Sequence, residues 1–237
     1  MSKRRLLKRR RLLVLLLLLL VGCGVGFLLF NPKTGIFRKH IKEGMIEYKA
    51  EAVDNKDHSS LTVPDKMVVK FKNDSSEAEL EVGMGFAKMK FISDPIGQKF
   101  YSEVFFFEKK MSVMDMTEIK QTNYYFPDYD VEYGSKTKTI AGYKCNNAIV
   151  KFKDGSTPIE VWYTKDISIK NPNWANAYYK IDGVLMDYRL KKYGLELHFT
   201  ATTVSDAQLD KSNFTVPSDY VKVPNSELEK MFSGFYN

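Results

Sequence analysis

The sequence predicts a mainly β protein organised around one large antiparallel sheet. Beyond Gly44, apolar residues recur at every second position through most of the chain, and clusters of turn-forming residues separate the alternating stretches. Alternation of this kind buries one face of a strand and wets the other, which is the habit of antiparallel sheets. The long amphipathic helices that parallel βαβ units require do not appear in the pattern.

The elements follow in order. Residues 45–52 set Ile46, Tyr48, Ala50 and Ala52 against Glu47, Lys49 and Glu51. Residues 66–72 set Met67, Val69 and Phe71 against three lysines, and 77–82 set Ala78, Leu80 and Val82 against three glutamates. Further on, 148–153 opposes Ala148, Val150 and Phe152 to Lys151 and Lys153, and 195–200 opposes Leu195, Leu197 and Phe199 to Glu196, His198 and Thr200. Turn chemistry lies between them, at Asn73-Asp74-Ser75-Ser76, Ser93-Asp94-Pro95, Lys153-Asp154-Gly155-Ser156, Ile181-Asp182-Gly183 and Tyr193-Gly194.

Two stretches break the alternation. Residues 100–107, FYSEVFFF, are apolar on both faces and predict a strand covered on both sides. Residues 171–180, NPNWANAYYK, form an aromatic cluster that predicts a loop or short helix packed over an edge or mouth of the sheet. Helices are few. Pro224-Asn225-Ser226 followed by Leu228, Met231, Phe232 and Phe235 reads as a capped, one-faced C-terminal helix, and a single turn is expected to start at Ser205.

The N-terminus is different in kind. Seven of the 36 basic residues fall within residues 1–11, leaving 29 to match the 29 acidic ones, so the basic balance belongs to the first segment and the rest is neutral. A nucleic-acid binder would carry its surplus on the folded domain, so nucleic acid is not an expected partner. Residues 12–30, LLVLLLLLLVGCGVGFLLF, carry no charge, and nineteen helical residues span roughly 28 Å, the thickness of a bilayer's hydrocarbon core. The expected organisation is a cytoplasmic segment (1–11), a transmembrane anchor or lipoprotein signal (12–30), a linker (31–43) and a β domain (44–237) on the extracytoplasmic side, with the inner membrane as host. Leu20-Val21-Gly22-Cys23 fits a lipobox with Cys23 as the lipidated residue, while the apolar run after Cys23 fits an uncleaved anchor. Both readings stand on the residues. Gly22 and Gly26 have the spacing of a close helix–helix contact.

Four blocks resemble the DUF4412 family of Bacteroidetes envelope proteins: Thr137 to Cys145 (TKTIAGYKC), Val161 to Ile167 (VWYTKDI), Ile181 to Tyr188 (IDGVLMDY) and Phe214 to Tyr220 (FTVPSDY). With Gly44 to Tyr48 the similarity covers about residues 44–222. That family looks like a member of the LolA/LolB-type lipoprotein-carrier superfamily. The resemblance implies a strongly curved open half-barrel, with short helices covering an apolar concave face, on the periplasmic side of the envelope. It implies no agreed activity.

Catalytic chemistry finds little support. His40, His58 and His198 are scattered, Asp57-His58-Ser59 are neighbours in sequence rather than a spatial triad, and Asp128, Asp130 and Glu132 lie on one strand face as a solvated stripe. Cys145 reads as a small buried residue, and no metal or cofactor is expected. The apolar residues Tyr48, Met67, Phe71, Met89, Phe91, Trp162, Met186 and Tyr188 are the candidate lining of an apolar cleft. The expected function is therefore a non-enzymatic, membrane-tethered protein that takes a lipid or a lipoprotein acyl chain. The alternative is an envelope interaction or sensor module with a filled core.

Overall fold

The computed structural model describes residues 40–53, 63–82, 87–94, 99–105, 108–122, 127–192, 195–216 and 218–234, all within one compact unit, His40–Asn237. The predicted membrane segment, Cys23, His58 and nearly all of the predicted linker lie outside these residues. Among the described residues no helix is long and apolar enough to cross a membrane.

The fold is mainly β, as the alternation predicts. Its strands are β1 (Glu43–Ala52), β2 (Lys66–Lys72), β3 (Ser75–Val82), β4 (Ala87–Asp94), β5 (Lys99–Phe105) and β6 (Lys109–Met114) in the first half. The second half contributes β7 (Tyr129–Ile140), β8 (Tyr143–Phe152), β9 (Ile159–Thr164), β10 (Val184–Lys192), β11 (Leu195–Asp206) and β12 (Val221–Lys222). They form one sheet in the order β12-β6-β5-β4-β3-β2-β1-β11-β10-β9-β8-β7. Every strand pair is antiparallel except β12 on β6, and the sheet does not close. The chain thus meanders outward through β1–β6 and returns to the other side of β1 with β11.

Local chemistry sets the corners. The β2–β3 turn is Asn73-Asp74, with Asn73 at φ 54°, a left-handed conformation that asparagine tolerates better than most residues. The β7–β8 turn is Ala141-Gly142 with both φ values positive (46° and 78°), the backbone of a type I′ hairpin. Helix α1 (Met116–Thr122) was not legible in the periodicity but carries a capping box. Asp115 Oδ1 accepts from the Thr117 and Glu118 amides (2.8 and 2.9 Å), and Glu118 Oε2 accepts from the Asp115 amide. The predicted C-terminal helix is α2 (Asn225–Gly234), which buries Leu228 completely. The single turn expected at Ser205 is displaced. There β11 runs on to Asp206, and the turn is a 3-10 helix at Lys211–Phe214, capped by Asp210.

The interior has two parts. One joins β1–β4, β10 and β11 with Leu228 of α2 and includes Ile46, Phe71, Leu80, Leu197 and Phe199. The other gathers Tyr129, Val150, Val161, Tyr163, Tyr178 and Leu185 under the segment 165–183 between β9 and β10. That segment is the predicted aromatic cluster, and it crosses to distant strands. Trp174 Nε1 bonds Ser93 Oγ of β4 (2.5 Å), the Lys170 amide bonds Asp74 of the β2–β3 turn (3.1 Å), and Ile167 bridges Ile41.

Candidate functional site

The eight residues expected to line an apolar cleft do come together. Tyr48, Met67, Phe71, Met89 and Met186 are buried, and Phe91, Trp162 and Tyr188 pack against the same cluster. They fill that space with one another: Tyr188 meets Tyr48 edge-on (6.1 Å between centroids) and stacks on Phe199 (5.3 Å), while the Tyr48 hydroxyl donates to the Leu185 carbonyl (2.8 Å). Their large side chains serve as core.

The surface feature that stands apart is a strip of tyrosines along β7 and the segment 165–183. Tyr133 and Tyr179 are about half exposed, at 52% and 51%, which large apolar side chains seldom are in this protein. Both rings are held. Tyr133 lies edge-on to Tyr163 (5.8 Å) and its hydroxyl donates to the Lys180 carbonyl (3.2 Å). Tyr179 lies edge-on to Tyr129 (5.7 Å), and the Lys180 ammonium sits over the rings of both Tyr129 (4.7 Å) and Tyr179 (5.7 Å). Such contacts fix ring orientation before any ligand arrives.

The strip is flanked by tied charges. Asp128 takes hydrogen bonds from Lys153 and Lys180, which hold its carboxyl down at about 2. At the other end Lys165 pairs with Asp182 (2.7 Å), and that bond raises the lysine's pKa. Burial raises the Tyr163 hydroxyl, on which Tyr133, Lys165 and Asp182 also act. The Lys165–Asp182 pair then forms the wall of a concavity of about 370 Å³ of mixed lining, to which Lys42, Asn73, Asp74, Ser168 and Lys170 bring polar groups and Ile167, Ile169 and Gly183 apolar surface. Gly183 is required here: it sits at φ 147°, and a Cβ would lie 2.6 Å from the Tyr163 ring. The strip thus meets the concavity at one end, where Tyr163, on which Tyr133 packs, lies against Gly183.

The remaining sequence candidates fall into structural roles. His198 bonds Asp187 (2.7 Å), which Lys138 also holds (2.7 Å), and Lys138 lies over Trp162 (4.3 Å). Glu132 pairs with Lys151, and Asp130 is exposed. Among the described residues no three potential ligands gather to hold a metal. Cys145 is buried, and burial pushes its thiol up to about 11. Sequence reasoning missed Tyr133 and Tyr179 as surface groups. Their signal was the spacing Tyr129–Tyr133 on one strand face, opposite the Tyr178-Tyr179-Lys180 run.

Comparison with known proteins gives a consistent direction. Residues 99–174, about a third of the chain, match the family described as N-glycanase peptide, N-terminal domain. That span holds Tyr129, Tyr133, Tyr163, Lys165 and Lys170. Two solved structures of PNGF-II, in space groups P21 and C2, are similar in fold. Their TM-scores are 0.53 and 0.51 and their identities 16% and 17%, and each alignment covers 82% of this chain. The chain spans about a third (34% and 33%) of those proteins. No curated protein matches.

These findings overturn the resemblance to DUF4412 and to LolA/LolB-type carriers, and with it the expected binding of lipid or acyl chains. The physical reason is visible in the blocks that carried the resemblance. IAGYKC is the entry to a type I′ hairpin, and VWYT is a buried strand, so hairpin geometry and burial dictate both in many antiparallel sheets. The expectation of a protein with no enzymatic connection is overturned too, because the matched family is a domain of a glycanase.

Proposed function

We propose that this chain is the glycoprotein-engaging part of a glycan-cleaving enzyme and that the tyrosine strip is its contact surface. The observation that carries this reading is the pair of exposed, orientation-locked rings of Tyr133 and Tyr179, with Tyr133 packed on Tyr163, whose own ring lies against Gly183 of the concavity. The apolar face of a pyranose packs on an aromatic ring, and its rim of hydroxyls needs donors and acceptors close by. The concavity that Lys165 and Asp182 wall would supply them, through Lys42, Asn73, Asp74 and Ser168. The strip's own carboxylates are committed to lysines, and a group held near pKa 2 is suited to orient rather than to donate protons.

In this reading the open sheet is a shallow half-barrel, a shape supported by segment 165–183 reaching from β9 to Ser93 and Asp74. The basic-then-apolar N-terminal segment would set the domain outside a membrane, where glycoproteins are met. Protease treatment of intact cells checks that placement, and a domain protected until lysis would refute it.

Binding of N,N′-diacetylchitobiose, followed by titration calorimetry, tests the site. Replacing Tyr133 and Tyr179 together by Ala should weaken binding by about tenfold or more in a variant that circular dichroism shows to be folded at the temperature of the titration. Equal affinity in the double variant would remove the strip from the proposal.

A further inference from the structure

The tyrosine strip runs along an edge of the sheet, and the backbone at that edge has a direction that can be worked out. Tyr129 pairs with Phe152 in the β7–β8 register, and the Lys153 amide donates to the Asp128 carbonyl (2.7 Å). Asp128 therefore turns its backbone groups toward β8. In an antiparallel pair this orientation alternates, so Asp130 and Glu132 also face β8, while Tyr129, Val131 and Tyr133 face away. An independent contact agrees: the Tyr129 carbonyl is taken by the Lys180 ammonium and not by β8. Among the described residues no strand pairs with β7 on that side.

The free stretch has limits at both ends. Lys180 occupies the Tyr129 carbonyl. Past Tyr133 the ladder is interrupted before Thr137, where the Lys136 amide turns to the side chain of Asn147 (3.1 Å) and Gly134 lies so near that side chain that a Cβ would be 2.2 Å from its oxygen. What remains without a strand partner among the described residues is the amide and carbonyl of Val131 and of Tyr133: two donors and two acceptors spaced for an extended chain. Exposed edges are ordinarily shortened or covered. This one is bounded and lies beside the exposed ring of Tyr133.

We infer that the Val131–Tyr133 edge of β7 takes the peptide backbone of the glycoprotein as an added strand, with the Asn-linked sugar laid over Tyr133 and Tyr179. The inference rests on the glycoprotein reading above and narrows it to substrates whose peptide is extended rather than folded. Backbone pairing gives affinity without demanding a sequence, which suits a surface that must accept many proteins. Side chains of an added strand alternate between faces, so one residue in two can present its glycan to the tyrosines.

Three probes separate this from the parent reading: free diacetylchitobiose, a pentapeptide, and the same pentapeptide carrying chitobiose on its central Asn. The full chain should bind the glycopeptide about tenfold or more tighter than the free sugar. N-methylation of alternate peptide amides should cancel that gain, which leaves the protein untouched. Val131→Pro should cancel it as well while leaving sugar affinity unchanged, since proline is tolerated where an edge amide points outward. Equal binding of glycopeptide and free sugar, or of methylated and unmethylated peptide, overturns the inference while the sugar site stands. If free sugar fails to bind, methylation-sensitive binding of the bare pentapeptide still supports the edge, and its absence refutes it. Concentration-dependent protection of the Val131 and Tyr133 amides without peptide would assign the edge to a second copy of the chain and overturn it.

Discussion

The two halves of the sheet solve the same burial problem in different ways. In β1–β3 apolar and charged residues largely alternate along the chain, and the charge-bearing face is a ladder of opposite charges, in which Glu77 is itself buried beside Ile92. Glu77 sits between Lys70 (2.8 Å) and Lys90 (3.8 Å), Glu79 between Lys88 and Lys90, and Lys66 pairs with Glu47. In β7–β10 the covering layer is instead an irregular segment, 165–183, that lays Tyr178 and Ile181 on the strands. The regular half is paired strand to strand and takes cover from Leu228 of α2. The irregular half needs residues far away, and it is the half that exposes tyrosines. Loops held on a rigid scaffold commonly carry function, and here the loop is held by its own aromatic side chains.

The comparison can be broken most severely at Tyr178, which is fully buried and donates its hydroxyl to the Arg189 carbonyl. Tyr178→Ala should cost about 4 kcal/mol, read from denaturant unfolding, and should release the strip with it. Gly183→Ala attacks the same half through the backbone. At φ 147°, with the Tyr163 ring and the Thr164 carbonyl (2.9 Å) against the new methyl, about 3 kcal/mol should be lost. A change below about 1 kcal/mol would mean that the segment can move aside, contrary to the packing described.

In the regular half, Glu77→Gln should cost about 2 kcal/mol. The carboxylate is 2% exposed, but its lysines are 23% and 30% exposed and can turn to water. Lys192→Met sharpens the comparison from the opposite direction. Lys192 lies over the Phe91 ring (5.0 Å), and burial lowers its pKa to about 8, against an opposing pull from Glu229. The folded chain holds this proton less tightly than the unfolded chain, so the native lysine should make stability rise with pH between about 8 and 10.5. At pH 7 Lys192→Met should gain roughly 1–2 kcal/mol, and the gain should vanish above the ordinary lysine range. A gain that persists at high pH would assign it to packing instead of charge.

Legibility in the sequence followed the same division. In the regular half the period of two located β2 at its observed bounds, Lys66–Lys72, and Asn73-Asp74 marked its turn. In the irregular half the run NPNWANAYYK was readable as a covering loop, yet nothing local said that Trp174 would reach Ser93, a residue 81 positions away. Nor does local sequence distinguish Tyr178, which is buried, from Tyr179, which is half exposed, for the two are neighbours with the same side chain. Likewise, the large residues read as a ligand cleft lie in or against one apolar cluster, and their type and spacing alone do not separate a lined cavity from a packed core.

By itself the sequence determined the class of fold, turns such as Asn73-Asp74, the face that strands such as β1 bury and the confinement of the surplus positive charge to residues 1–11, because alternation, turn chemistry and charge are local properties of the chain. Tertiary structure alone decided that β7 ends the sheet, that its odd-numbered backbone groups face outward at Val131 and Tyr133, and that two tyrosines stay at the surface. Strand order and the path of an irregular segment depend on contacts between residues distant in sequence, and no local pattern encodes which of two like side chains such a contact will cover.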